Sequence, residues 1–216
     1  MNNIFDVTKS TPLCEIMGRC GSDKGSIDIM NSWHNYTTFY YSIFKDLREK
    51  ELRIFELGLG TNNPNIPSNM GQNGVPGASL YGWSEFFPNS HIFGADIDTN
   101  ILFNTEKIKT FYCDQTNPEI IKKMWDEPEL QDNFDIIVED GLHTFNANVC
   151  FFENSIQKLK QNGFFIIEDI LPWEQSLFVN KIKDWESQYI GYIFTLLKVP
   201  STNNNFDNTL LVVFKC

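Results

Sequence analysis

Seven short apolar runs constrain the fold of this chain more than any other feature: most of them alternate with helix-like stretches, and the last two are joined directly. They lie at residues 53–57, 91–96, 108–112, 134–138, 164–167, 192–199 and 209–215, and each has a length suited to a buried strand. Between them, residues 118–125 read as a helix with Asn117 as N-cap, residues 146–159 as a helix stopped by Asn162-Gly163, and residues 177–185 as a third. Strands that alternate with helices imply a mainly parallel sheet with helices on both faces. Two final strands with no helix between them imply an antiparallel last strand. Their connection, Ser201-Thr202-Asn203-Asn204-Asn205, is polar and too long for a tight hairpin. The expected fold is therefore α/β, a Rossmann-like seven-stranded sheet over residues 51–216.

Residues 1–50 differ in character and read as an N-terminal helical extension that covers the cofactor and substrate. A helical stretch at 13–17 precedes the turn Gly21-Ser22-Asp23-Lys24-Gly25. A second stretch, 36–47, repeats Phe39, Tyr40, Ile43, Phe44 and Leu47 at helical spacing. Trp33, His34, Tyr36, Tyr40 and Tyr41 can wall a site; Phe39, Tyr40 and Phe44 read rather as core, and His34 and Tyr36 fit either role. The chain has 216 residues, 42% hydrophobic with 19 Phe, enough to bury a core without a disulfide or metal staple. A net charge of -11 leaves no basic footprint for nucleic acid. No stretch approaches the roughly 20 apolar residues of a membrane span. The first residues lack the basic and apolar regions of a secretory signal. Five cysteines without a CxxC pair fit reduced thiols, so the expected location is the cytoplasm.

In an open α/β sheet the ligand lies beyond the carboxyl ends of the strands, near the switch in strand order. Glu56-Leu57-Gly58-Leu59-Gly60 ends the first strand there. Gly58 and Gly60 suit a tight turn close to a ligand. The carboxylate of Glu56 suits a cationic ligand group, such as the α-ammonium of a methionine moiety, and would repel a pyrophosphate. The dinucleotide fingerprint wants glycine at position 63, where this chain has Asn63. Asp96 ends the second strand in position for ribose hydroxyls, and Asp114 follows the third near an adenine amino group. Singly, either acid is as readily a cap or turn residue. The irregular segment 61–79 is long enough to close over a cofactor or to pack in a homo-oligomer.

Glu139-Asp140 ends the fourth strand and Glu168-Asp169 the fifth. Neighbouring strands lie about 4.8 Å apart, so these acids crowd one volume and repel unless neutralised. A hard divalent cation is the direct remedy. His143, three residues beyond Asp140, is placed to take a proton from a substrate hydroxyl, with capping as its competing role.

These motifs resemble class I S-adenosylmethionine-dependent methyltransferases, and most closely the metal-dependent sugar O-methyltransferases of macrolide tailoring, the mycinamicin and macrocin type. The resemblance rests on Glu56 to Thr61, on Asp96 within Gly94-Ala95-Asp96-Ile97-Asp98, on Asp114-Gln115, on Glu139-Asp140-Gly141-Leu142-His143 and on Ile167-Glu168-Asp169. The Gly21–Gly25 turn and His34-Asn35-Tyr36-Thr37 resemble a segment that precedes the domain in that group. The resemblance implies a methyltransferase sheet holding S-adenosylmethionine, with S-adenosylhomocysteine as product, against Glu56, Gly58, Gly60, Thr61, Asp96, Ile97, Asp114, Gln115, Asp140 and Tyr36. It implies Asp140, Glu168 and Asp169 as ligands of a divalent cation such as Mg2+, with His143 as general base beside Asp140. The acceptor it implies is a sugar hydroxyl of a glycan or natural-product precursor. The competing expectations are a metal-dependent hydroxylase on the same fold, an NAD-binding oxidoreductase and a non-catalytic binding protein that keeps the cofactor pocket.

Overall fold

The computed structural model describes residues 5–216. Met1 to Ile4, part of the stretch read as lacking a secretory signal, lie outside the described residues. The strands are β1 (Arg53–Leu57), β2 (His91–Asp96), β3 (Ile108–Tyr112), β4 (Phe134–Glu139), β5 (Leu159–Ile167), β6 (Tyr192–Lys198) and β7 (Thr209–Lys215). They form one sheet in the order β3-β2-β1-β4-β5-β7-β6. β7 inserts antiparallel between β5 and β6, and the other pairings are parallel. The expected α/β sheet with an antiparallel last strand is thus borne out.

The helices are α1 (Pro12–Cys20), α2 (Tyr36–Phe44), α3 (Ala78–Phe86), α4 (Pro118–Trp125), α5 (Phe145–Glu153) and α6 (Gln175–Gln188). Side chains alternate across a strand with period two, and this divides the core in two. Ile54, Ile92, Ile136, Val138 and Ile166 pack with Met17, Tyr40, Phe44 and Trp83 from α1 to α3. Phe55, Leu57, Phe93, Ile137 and Phe165 pack with Trp125, Phe151, Phe152 and Trp185 from α4 to α6. Helices therefore cover both faces, and α1 and α2 share one layer with α3.

Local capping explains two helix starts. Thr11 accepts from the Cys14 amide at 3.3 Å and opens α1. Asn117 accepts from Glu119 and Ile120 and opens α4, as its sequence position predicts. One boundary differs from expectation. The helix expected over 146–159 ends at Glu153, and Asn162-Gly163 lies inside β5 instead of stopping a helix. Asn162 is left-handed (φ 61°), and the β4–β5 register shifts between Phe134 and Ile136. The Asn-Gly pair makes a bulge, the other structure that a left-handed residue permits.

Candidate active site

A cavity of about 250 Å³ opens beyond the carboxyl ends of β1, β2 and β4, where the strand order reverses. Gly58 forms its base with φ 91°, and a Cβ there would lie 1.8 Å from the Asp140 carbonyl oxygen. The turn after β1 presses so closely on the end of β4 that only glycine fits. Asp96 braces this turn: Oδ2 accepts from the Leu59 amide at 2.7 Å and Oδ1 from the Asp98 amide at 2.8 Å. Burial raises its pKa against these bonds. Asp98 in turn accepts from the Thr61 hydroxyl at 2.5 Å. Asp114 accepts from the Thr116 amide and hydroxyl, so the turn role is present alongside its place on the cavity wall. Gln115 brackets the far side, donating to Glu139 Oε1 at 2.9 Å and accepting from the Leu142 amide at 2.7 Å. The segment before α3 supplies the outer wall through Ile66, Pro67, Ser68 and Met70, with Ser68 tied to the Leu142 carbonyl at 2.9 Å.

Strand alternation decides where the acids go. Glu56 lies in step with Ile54, Asp140 with Val138, and Glu168 with Ile166, all on the α1–α3 face. That face brings Lys24, whose buried ammonium lies 2.5 Å from Asp140 Oδ2, 2.5 Å from Glu168 Oε2 and 3.4 Å from Glu56 Oε1. Glu168 also accepts from the Tyr40 hydroxyl, and Glu56 from Ser79 at 2.6 Å and Trp83 Nε1 at 2.5 Å. Burial disfavours the charged amine, but the three carboxylates outweigh it and hold the Lys24 pKa well above the usual lysine value. One ammonium does not cancel three acids, and burial pushes Glu56 and Glu168 up. Asp140 is the exception: burial opposes its charge, yet Lys24 and His143 hold it below the usual carboxylate range.

Asp140 faces both ways. Its Oδ1 lies 3.1 Å from His143 Nε2, which is 3.6 Å from Asp169 Oδ2. One ligand atom from each of Asp140, His143 and Asp169 falls within 4.8 Å of the others, and all three residues line the cavity. His143 and Asp169 have φ of 56° and 57°, left-handed conformations that cost non-glycine residues energy and gather at functional sites. Tyr36 holds Asp169 from behind, its hydroxyl donating to Oδ1 at 2.7 Å, and His34 stacks on Tyr36. Burial disfavours the His143 imidazolium, but Asp169, Asp140 and Glu139 outweigh it and push the pKa up to about 10. Glu139 points to the opposite face, where burial pushes it up to about 7 and leaves Oε2 without a partner among the described residues.

No family model matches the chain. Curated relatives do. The chain is 28% identical over 159 residues to 8-demethyl-8-(2-methoxy-alpha-L-rhamnosyl)-tetracenomycin-C 3'-O-methyltransferase of Streptomyces olivaceus, covering 73% of this chain and 36% of that protein. It is 28% identical over 166 residues to mycinamicin VI 2''-O-methyltransferase of Micromonospora griseorubida, covering 72% and 38%. It thus spans little more than a third of the length of these relatives. Among solved structures, the MycE methyltransferase of the mycinamycin biosynthetic pathway, in complex with Mg, SAH and mycinamycin VI, superposes with a TM-score of 0.70. The match is 22% identical and covers 96% of this chain and 55% of that one.

This is the class I methyltransferase fold. The homologues are sugar O-methyltransferases of the type that the motifs resemble. On that fold, the cavity wall includes Gly58, Gly60, Thr61, Asp96, Ile97, Asp114, Gln115 and Asp140 of the residues expected around a cofactor. Glu56 and Tyr36 are not on it. Glu56 faces inward by strand alternation and meets Lys24, so the cation beside it belongs to the chain. Tyr36 meets Asp169 from the buried side. Of the three acids expected to hold a metal, Asp140 and Asp169 reach the cavity, whereas both Glu168 oxygens engage Lys24 and Tyr40. Lys24 itself reads equally well as a solvated turn in the sequence. Tyr40 is core by its ring and polar by its hydroxyl, and helical spacing reports only the ring.

Proposed function

We propose that this chain is an S-adenosylmethionine-dependent, divalent-metal-assisted O-methyltransferase acting on a hydroxyl of a sugar in a glycan or natural-product precursor. The observation that carries this reading is the meeting of Asp140, His143 and Asp169 on the wall of the class I cavity. The names of the relatives support the sugar acceptor, and the Mg and SAH bound in MycE support the two groups required. No comparison favours the hydroxylase or the oxidoreductase.

The residues fit both groups. Gly58 and Gly60 leave backbone free to approach a cofactor, and Asp96, Asp114 and Gln115 offer polar atoms along its length. S-adenosylmethionine supplies a methyl group on a cationic sulfur and leaves as S-adenosylhomocysteine. Asp140 and Asp169 offer the carboxylate oxygens that a hard cation such as Mg2+ selects, and the motif resemblance adds Glu168. A divalent cation held there would lower the pKa of an acceptor hydroxyl and offset the negative charge around it.

The chain's own groups then have defined tasks. Asp140 and Asp169 both approach Nε2 of the His143 ring, and Asp140 is within hydrogen-bond distance of it. His143 lines the cavity beside both carboxylates, so its Nε2, once deprotonated, is the atom placed to take the proton of an acceptor hydroxyl in that cavity. Asp169 and Asp140 stabilise the imidazolium and hold the His143 pKa up at about 10, which favours a protonated ring near neutral pH. Loss of that proton is required before His143 acts as a base. Tyr36 and Tyr40, whose pKa values burial raises, stay protonated and donate to Asp169 and Glu168.

The test is transfer of labelled methyl from S-adenosylmethionine to a panel of nucleotide sugars and glycan fragments, with Mg2+ and with chelator. Transfer that needs Mg2+ is expected. Calorimetric binding of NAD without S-adenosylmethionine, or iron-dependent oxygen consumption without methyl transfer, sinks the reading.

A further inference from the structure

Lys24 is the least expected group in the molecule. It lies on the turn between α1 and α2, where lysine normally reaches solvent, yet its side chain is 2% exposed. Its ammonium faces Asp140, Glu168 and Glu56, which approach from the ends of β4, β5 and β1. Buried charges survive only when paired, and an acid cluster this tight needs a cation to stay ionised. The chain supplies one itself. Lys24 also shares the Asp140 carboxylate with the cavity: Oδ2 binds the ammonium while Oδ1 faces His143.

We propose that Lys24 is a built-in counter-cation that keeps the acidic centre folded without metal and limits how tightly that centre holds a divalent ion. The inference rests on the metal-assisted reading above. A fixed positive charge behind Asp140 repels a dication in front of it and draws on the same carboxylate. The consequence is a site that is stable when empty and binds its ion exchangeably. Lys24 is a positioning residue in this role: it acts through Asp140 and takes no part in proton transfer.

The experiment measures Mn2+ binding by calorimetry, and thermal unfolding in chelator and in Mn2+, for three proteins: the unmodified chain, Lys24→Met, and Lys24→Met with Glu56→Gln. Lys24→Met removes the charge and keeps most of the side-chain volume. It is expected to bind Mn2+ about tenfold or more tightly, because one opposing charge is gone. It is also expected to lose stability in chelator and to regain it in Mn2+, as linkage requires. The double variant removes one charge of each sign, away from the cavity wall. It is expected to fold in chelator and to return Mn2+ affinity to within about threefold of the unmodified chain. Equal or weaker Mn2+ binding by Lys24→Met overturns the proposal, as does a double variant that fails to fold or that matches Lys24→Met in affinity. If the unmodified chain and both variants all bind no Mn2+, the metal-assisted reading falls and takes the proposal with it. Mn2+ binding by the unmodified chain that Lys24→Met does not tighten overturns the proposal alone.

Discussion

The side of the cavity proposed to hold the cofactor (the cofactor side) and the acidic side are built from the same residue types but in opposite ways. On the cofactor side, acids bind their own neighbourhood: Asp98 accepts from Asn100, and Asp114 from Thr116. Asp96 reaches the Asp98 amide and, across one strand pair, the Leu59 amide. On the acidic side the partners come from far along the chain: Lys24 and Asp140 are 116 residues apart, Tyr36 and Asp169 133. The first arrangement shapes a loop with neutral amides as donors. The second concentrates charge and satisfies it with groups brought by the N-terminal helical layer. Shape belongs to one side and charge to the other, and each can be broken separately.

The largest separation comes from the acidic side. Asp140→Asn and His143→Gln should each lower methyl transfer by about 10²–10⁴-fold, the usual worth of a positioned acid–base group. Binding of S-adenosylhomocysteine, measured by calorimetry, should stay within a few-fold, because the walls at Gly58, Asp96 and Asp114 are untouched. Loss of cofactor binding in both variants, or an unchanged rate, would show that the two sides are one unit and that the roles are misassigned.

The cofactor side answers through stability. Gly58→Ala forces a side chain into a left-handed residue and against the Asp140 carbonyl, a contact of 1.8 Å before relaxation. The expected cost is about 3 kcal/mol or more in urea unfolding, combining backbone strain with a steric clash. Asp96→Asn is gentler. The amide keeps one acceptor and turns a donor toward the other backbone N–H, leaving a buried donor unmatched at about 1–3 kcal/mol. It should weaken S-adenosylhomocysteine binding while leaving Mn2+ binding alone. An equal effect on both ligands would erase the distinction between the sides.

The same contrast explains what could be read from the sequence. Strand runs, the Asn117 cap and the acids at strand ends are local patterns, and local physics places them. The end of α5 was not legible, because Asn162-Gly163 suits a helix stop and a strand bulge equally, and only pairing with β4 selects the bulge. Lys24 and the inward turn of Glu56 and Glu168 were not legible either. Alternation fixes which face an acid takes, but nothing in the local sequence says that a lysine from another layer will arrive there. The Gly-Ser-Asp-Lys-Gly resemblance marked the place without disclosing the contact.

Cys113 gives the smallest effect and tests how closed the cofactor side is. It lines the cavity yet is 1% exposed. Burial first, then Asp114, pushes its pKa up to about 12. Alkylation needs the thiolate, so Cys113 should stay unmodified by iodoacetamide at pH 8, while the exposed Cys216 reacts. The sign follows from the raised value: the reactive form of Cys113 grows only as pH climbs toward 12, well past the ordinary thiol range. Peptide mapping after a short exposure reads both sites. Adding S-adenosylhomocysteine should change neither rate, since the folded wall already protects Cys113. Rapid labelling of Cys113 that the ligand then suppresses would mean that this wall opens in solution, so that the cofactor side is shaped by its ligand and not only by its own amides.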